Sequence, residues 1–259
     1  MDSSRRVPAA PPRIPQPVAI QQIDGLDLQG KYHSARIGGD FFDAVATGPR
    51  MIFLLTDISG KRGAAHTIAA EVQDTFRKRA QEIFGTPWAN ESEGIARLLH
   101  DVNAALIRAA RGPRLAPTFL GCYNASLAIL TYMNAGGPPP FLRDSEGTRA
   151  LEGGGVPLGL FSHMTHEPCM QAFESKAQML IVTKGVIDGG DGRSDFGVAG
   201  VQRALQEMHA ASAAEICETA LEKAHGFVKR SGFLRSKKSE AVEDLTAVAL
   251  MRPGLVAKA

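Results

Sequence analysis

Residues 37–65 restrict the possible folds more than any other stretch of this 259-residue chain. Gly38-Gly39-Asp40-Phe41-Phe42-Asp43 is followed by an apolar run, Met51 to Leu55, that delivers Thr56-Asp57-Ile58-Ser59-Gly60-Lys61. A short unbroken apolar run closing on a Gly-bearing turn predicts a buried strand. Asp57 then stands rigidly at the rim of a core, where the turn lets a ligand or ion approach the backbone closely. A carboxylate held there loses solvation unless something binds it.

An apolar content of 44% suffices for a substantial core, and the length predicts one large domain preceded by a tail. The formal charge is only +2, from 29 basic and 27 acidic side chains, so bulk electrostatics gives no support for nucleic-acid binding. Cys122, Cys169 and Cys217 are odd in number and widely spaced, which argues against a zinc site and a disulfide framework and fits a reducing cytosol. No apolar run reaches the roughly 18 to 20 residues of a membrane span, and prolines follow Met1 to Arg6 where a signal peptide has its apolar core. A soluble cytoplasmic protein is expected.

Residues 1–17 hold Pro8, Pro11, Pro12, Pro15 and Pro17 with little to bury, which predicts an extended, poorly ordered arm before a domain spanning 18–254. Apolar residues at Ala65, Ile68, Ala69, Val72, Phe76 and Ala80 fall on one helical face. A second helix is expected from Ser92 as N-cap through Ile95, Leu98, Leu99, Val102 and Leu106, stopped by Gly112-Pro113 and lying beside the first. Phe119 to Met133 is β-branched and apolar, and Asn134 to Pro140 is a turn that no helix crosses. Short strands are expected near 141–143, 148–151, 169–173 and 178–183, then a helix from Ser212 with Glu215 in capping-box spacing, then a strand from Leu245 to Met251. Helices in two groups around consecutive antiparallel strands predict an α+β layered fold.

Five segments occur in an order that resembles one family: Gly38 to Asp43, Thr56 to Lys61, Asn134 to Pro139, Gly155-Val156-Pro157-Leu158-Gly159, and Glu243-Asp244-Leu245-Thr246. Over roughly Asp27 to Arg252 the chain resembles the SpoIIE-like branch of the metal-dependent protein phosphatases (PPM). That resemblance implies an αββα sandwich of two antiparallel sheets flanked by helices. It also implies two Mn²⁺ or Mg²⁺ ions that hydrolyse phosphoserine or phosphothreonine in a partner protein. Two such ions clamp a phosphate and acidify a water between them, and both prefer oxygen ligands. By resemblance Asp40 and Asp57 match two ligands, with the carbonyl of Ile58 adjacent and Glu243 and Asp244 near the last landmark.

Two positions depart from the family pattern. Thr183-Lys184-Gly185-Val186 stands where the family reads Thr-Asp-Gly-Val, and Glu243-Asp244 stands where it reads Asp-Asp. A protonated lysine is no ligand, and it repels a divalent ion, so at least one metal position is expected to be empty. Either the Lys184 ammonium replaces a metal by pairing with Asp40, Asp57 and Glu243, or it turns to solvent and leaves the acids to one weakly held ion.

Lys61, Arg36, Arg62 and His33 lie near the same landmarks, as phosphate contacts or as solvated charges. Gly137 stands where the family often has His, and Ser126 and Ser162 lack a hydrolase elbow. The basic segment 229–238 reads as a solvated loop or a partner-docking surface. Two functions follow from the resemblance. One is a phosphatase with a degenerate metal site, acting on a phosphorylated regulatory protein of anti-anti-sigma type; the other is an inactive pseudophosphatase that binds such a phosphoprotein.

Overall fold

The computed structural model describes residues 13–33, 39–60, 62–189, 195–231 and 244–254. The chain runs β1 (Asp27–His33), β2 (Asp40–Thr47), β3 (Arg50–Asp57), α1 (Arg62–Phe84), α2 (Glu91–Ala110), β4 (Thr118–Asn124), β5 (Ile129–Ala135), β6 (Phe141–Asp144) and β7 (Gly147–Ala150). It continues through β8 (Cys169–Ala172), β9 (Gln178–Val182), α3 (Lys184–Asp188), α4 (Gly197–Glu207), α5 (Ala213–Ser231) and β10 (Leu245–Met251). Among the described residues the strands form two antiparallel sheets, ordered β2-β3-β4-β5-β8 and β1-β10-β9-β6-β7.

The unbroken apolar run is explained by alternation, because successive side chains of a strand point to opposite faces. On β3, Met51, Phe53 and Leu55 enter the core between the sheets, while Ile52 and Leu54 enter the core under α1 and α2. The second sheet repeats the pattern. Met179, Ile181, Val248 and Leu250 face inward, and Leu180, Val182, Ala247 and Ala249 face α3 to α5. Three stacked cores thus build four layers, αββα, as the sequence led us to expect.

Several local features differ from expectation. The N-cap of α2 is Asn90, whose side chain accepts from the amide of Glu93 at 3.1 Å; Ser92 is already inside the helix. The stretch 119–133 is a hairpin, β4 to β5, closed by Asn124, whose Oδ1 accepts from the amides of Ser126 at 3.0 Å and Leu127 at 3.3 Å. The expected loose arm is in part a strap: Arg13 pairs with Glu71 and Asp74 on α1, and Gln16 exchanges two hydrogen bonds with Gln73. Residues 1–12 lie outside the described residues. So do the side chains of the basic segment 229–238.

At the end of β3 remote from Asp57, the buried guanidinium of Arg50 ties down the α1–α2 loop. It donates to Glu91 at 2.7 Å and to the carbonyls of Thr86, Pro87 and Ala89 at 3.0–3.2 Å. Burial alone would raise the Glu91 carboxyl, but the bonds from Arg50 and Asn124 outweigh it and hold the group below the usual carboxylate range. Arg50→Met leaves this carboxylate and the loop carbonyls without their donor. It should cost about 3 kcal/mol in urea unfolding followed by circular dichroism.

Candidate metal and phosphate site

The same alternation assembles the site. Asp40 shares the inter-sheet face with Phe42, and Asp57 shares it with Leu55; the two acids are direct partners in the β2–β3 register. On the opposite sheet Thr183 follows Ile181 on that face and Thr246 precedes Val248. The end where β2 and β10 begin and β3 and β9 finish therefore collects two acids and two hydroxyls between the sheets.

Asp40 is buried, and its Oδ2 accepts from Thr183 Oγ1 at 2.7 Å and from Thr246 Oγ1 at 2.6 Å. Thr183 Oγ1 in turn accepts from the Thr246 amide at 3.2 Å. Burial, and then the charge of Asp57, push the Asp40 carboxyl well above the usual carboxylate range, against the opposing pull of the Thr246 and Thr183 hydroxyls. Asp57 is half-buried and lines a narrow cleft with Thr118, Asn134, Gly137, Thr183 and Lys184.

The turn after Asp57 is fixed by the main chain. The amides of Asp57 and Ser59 donate to the carbonyls of Pro117 at 3.0 Å and Leu115 at 2.9 Å, and Ile58 donates to Gly39 at 3.2 Å. Gly39 is required by this approach, because a Cβ there would stand 1.9 Å from the Ile58 carbonyl oxygen. Gly39 thus lets the chain entering β2 lie directly on the turn after β3.

Lys184 departs from the first of the two expectations. It opens α3 with its side chain 59% exposed, and its ammonium pairs with Asp188 one turn along the same helix. It does not stand in for a metal beside Asp40, whose Oδ2 is held by the two hydroxyls. The physical reason is the flexible stem, which keeps a strongly hydrated charge at the surface in place of a dry, enclosed position. Arg36, Lys61 and Glu243 lie outside the described residues, as does the side chain of Arg62. Asp244 immediately precedes β10, and His33 ends β1 with its ring 4.1 Å from that of His225.

Thr183 and Thr246 are site residues that attention to the acids passed over. Thr183 stands in the departing segment Thr-Lys-Gly-Val and Thr246 in the last landmark, Glu-Asp-Leu-Thr.

Whether these groups suit divalent ions follows from their donors. Asp57, the second oxygen of Asp40 and the Ile58 carbonyl are hard oxygen donors of the kind Mn²⁺ or Mg²⁺ takes, and they are the groups that would hold such an ion. Among the described residues no three acid, His or Cys side chains converge, and the Lys184 ammonium pairs with Asp188. A divalent ion supplies Lewis-acid polarisation of a phosphoryl group and a more acidic water. The chain's own contribution is to hold Asp57 at the cleft and to lock Asp40 behind it.

Comparisons with known proteins agree with this fold. Residues 47–253 match the family of Stage II sporulation protein E (SpoIIE), and the chain belongs to that family of metal-dependent protein phosphatases. The RsbU and RsbW domains of a Mycobacterium tuberculosis protein superpose with a TM-score of 0.72 at 20% identity, over 92% of this chain and 62% of that one. The PP2C phosphatase domain of SpoIIE from Bacillus subtilis, with a fragment of its regulatory domain, gives 0.67 at 12% identity, over 87% and 63%. The catalytic domain of the serine threonine protein phosphatase PstP in complex with two manganese ions gives 0.57 at 13% identity, over 87% and 98%. These likenesses are of fold, and the chain spans less than two thirds of the length of the first two structures. No curated protein sequence matches the chain. Among the described residues no helix is long and apolar enough to cross a membrane.

Asp40→Asn should stabilise the fold in EDTA-containing buffer. Asparagine still accepts from both threonines and removes a buried charge opposite Asp57, so a gain of about 1–2 kcal/mol is expected. A carboxyl whose pKa is higher folded than unfolded lowers stability as pH rises from the ordinary carboxylate range. The gain should therefore grow from acid toward neutral pH, which urea midpoints measured across that span will report.

Proposed function

We propose that this chain is a phosphoprotein-directed member of the SpoIIE family with a degenerate metal site. It recognises phosphoserine or phosphothreonine in a regulatory protein of anti-anti-sigma type, and its two-ion hydrolysis is impaired. The observation that supports this reading is Lys184, which takes a carboxylate position of the family and commits its ammonium to Asp188. Two-ion phosphate chemistry needs acids from several strands to converge, and a cation in their place both removes a ligand and repels the ion. The retained Asp40 and Asp57 support weak binding of one ion, Mn²⁺ or Mg²⁺. Their retention favours residual, slow hydrolysis over the alternative reading, a catalytically inactive pseudophosphatase that only binds the phosphoprotein.

Calorimetry with Mn²⁺ and hydrolysis of a phosphoserine peptide, on wild type and Lys184→Asp, separate these readings. The wild type should bind Mn²⁺ at least about tenfold more weakly than the variant and turn over at least about a hundredfold more slowly. Wild-type turnover near 10 s⁻¹, an ordinary enzymatic rate, would overturn the proposal. No gain in Mn²⁺ affinity in Lys184→Asp would show that Lys184 is not the lesion.

A further inference from the structure

The chain between Asp101 and Asp144 contains no acidic residue, and neither does the chain between Glu152 and Glu167. The fold brings these two stretches together beside the Asp57 turn. The carbonyls of Leu115 and Pro117 accept from the amides of Ser59 and Asp57, and on the other side Arg114 and Ala116 donate to the carbonyls of Gly159 at 3.1 Å and Leu158 at 3.0 Å. The first turn of α1, which follows the Asp57 turn, carries no acid either.

Three arginines stand on the first of these stretches. Arg114 is half-buried and lies over Gly60, its Nη1 donating to the Ser59 carbonyl at 2.8 Å. Arg111 is exposed and ends α2 in the left-handed region at φ 53°, and Arg108 is exposed on the last turn of that helix. Arg50, Arg77, Arg79 and Arg149 each pair with a carboxylate; among the described residues Arg108, Arg111 and Arg114 pair with none. Cations at a helix C-terminus complement its dipole, which accounts for Arg108 and Arg111. It does not account for Arg114, which lies beyond the helix and touches the turn itself. Like charges close together repel, and an anion between them relieves that repulsion. Arginine suits carboxylates because its planar fork donates through two parallel bonds.

We infer that Arg114, Arg111 and Arg108 form a surface, continuous with the Asp57 turn, that docks acidic side chains flanking the phosphorylated residue of a partner protein. This inference rests on the phosphoprotein-directed reading above and adds a sequence preference to it: aspartate or glutamate beside the phosphorylated position. From Arg114 the row reaches Arg111 within about 11 Å of chain, and Arg108 about 5 Å further along the helix. An extended peptide advances about 3.3 Å per residue, so the preference covers about five positions. The contact of Arg114 with the turn selects a segment that carries both the phosphate and the acids over an unrelated polyanion.

The test uses short labelled peptides in Mg²⁺-containing buffer, read by fluorescence anisotropy, with the non-hydrolysable phosphonate analogue of phosphoserine. One peptide flanks the analogue with glutamates, one flanks it with serines, and one places the glutamates around an ordinary serine. Wild type should bind the acidic phosphonate peptide about tenfold more tightly than the serine-flanked one, and the preference should shrink as salt rises from about 50 to about 300 mM. Arg108→Gln/Arg111→Gln removes two exposed side chains and leaves the Arg114 contact in place, and it should reduce the preference to about threefold or less. Arg97→Gln/Arg203→Gln removes the same charge from elsewhere on α2 and from α4, and it should leave the preference unchanged. Equal affinity for the two phosphonate peptides overturns the surface while leaving the phosphoprotein reading intact. If both acidic peptides bind alike and both weaken in Arg108→Gln/Arg111→Gln, the surface stands and the phosphoprotein reading fails. An equal loss in the two double variants, or failure of every peptide to bind, overturns the surface. Binding to phosphatidylserine vesicles that Arg108→Gln/Arg111→Gln abolishes, with no preference between the phosphonate peptides, would assign the arginines to a membrane and overturn the protein partner.

Discussion

The contact on which the site depends joins the two sheets: one oxygen of a buried aspartate holds hydroxyls from two strands of the opposite layer. Every other position at this end follows from it. With Asp40 pinned to Thr183 and Thr246, the β2–β3 register sets Asp57 opposite, and the approach of Gly39 fixes the turn that follows. A buried carboxylate is costly alone, and two charge-assisted hydrogen bonds offset part of that cost. The stability lost by keeping Asp40 acidic is the kind of local penalty that functional sites retain.

The cleft combines a frame of threonines, glycine and acid with a lysine at its wall. The threonines, Gly39 before β2 and the β3 strand-end acid are in place, whereas Lys184, at the wall of the cleft, turns its ammonium to Asp188. Frame residues are also packing residues, so their loss would unfold the end of the sandwich, while position 184 is solvent-facing and free to change. Family membership fixes the frame and leaves the chemistry to be decided by the ligands.

Much of this was legible in the sequence because it followed from periodicity. The run Met51 to Leu55 announced a strand buried on both faces, and the heptad-like spacing from Ala65 to Ala80 announced α1. Less legible were features set by single side chains. The β4–β5 turn is closed by Ala128 at φ 54°, so no glycine marked it, and 119–133 read as one stretch. Thr183 and Thr246 looked like ordinary β-branched strand residues, since only the pairing of two sheets reveals that both meet Asp40. The direction of Lys184 was open because a four-carbon stem reaches either a cleft or a neighbouring acid.

The brace formed by Arg50 has a spectroscopic consequence. It holds a loop whose Trp88, the only tryptophan of the chain, is 89% exposed at the end remote from Asp57. Its indole already experiences water in the native state, so its emission will change little when the three cores come apart or when a ligand enters the cleft. Intrinsic tryptophan fluorescence is therefore a nearly silent probe of this protein, and a tryptophan introduced beside the cleft would report on the site against an almost constant background.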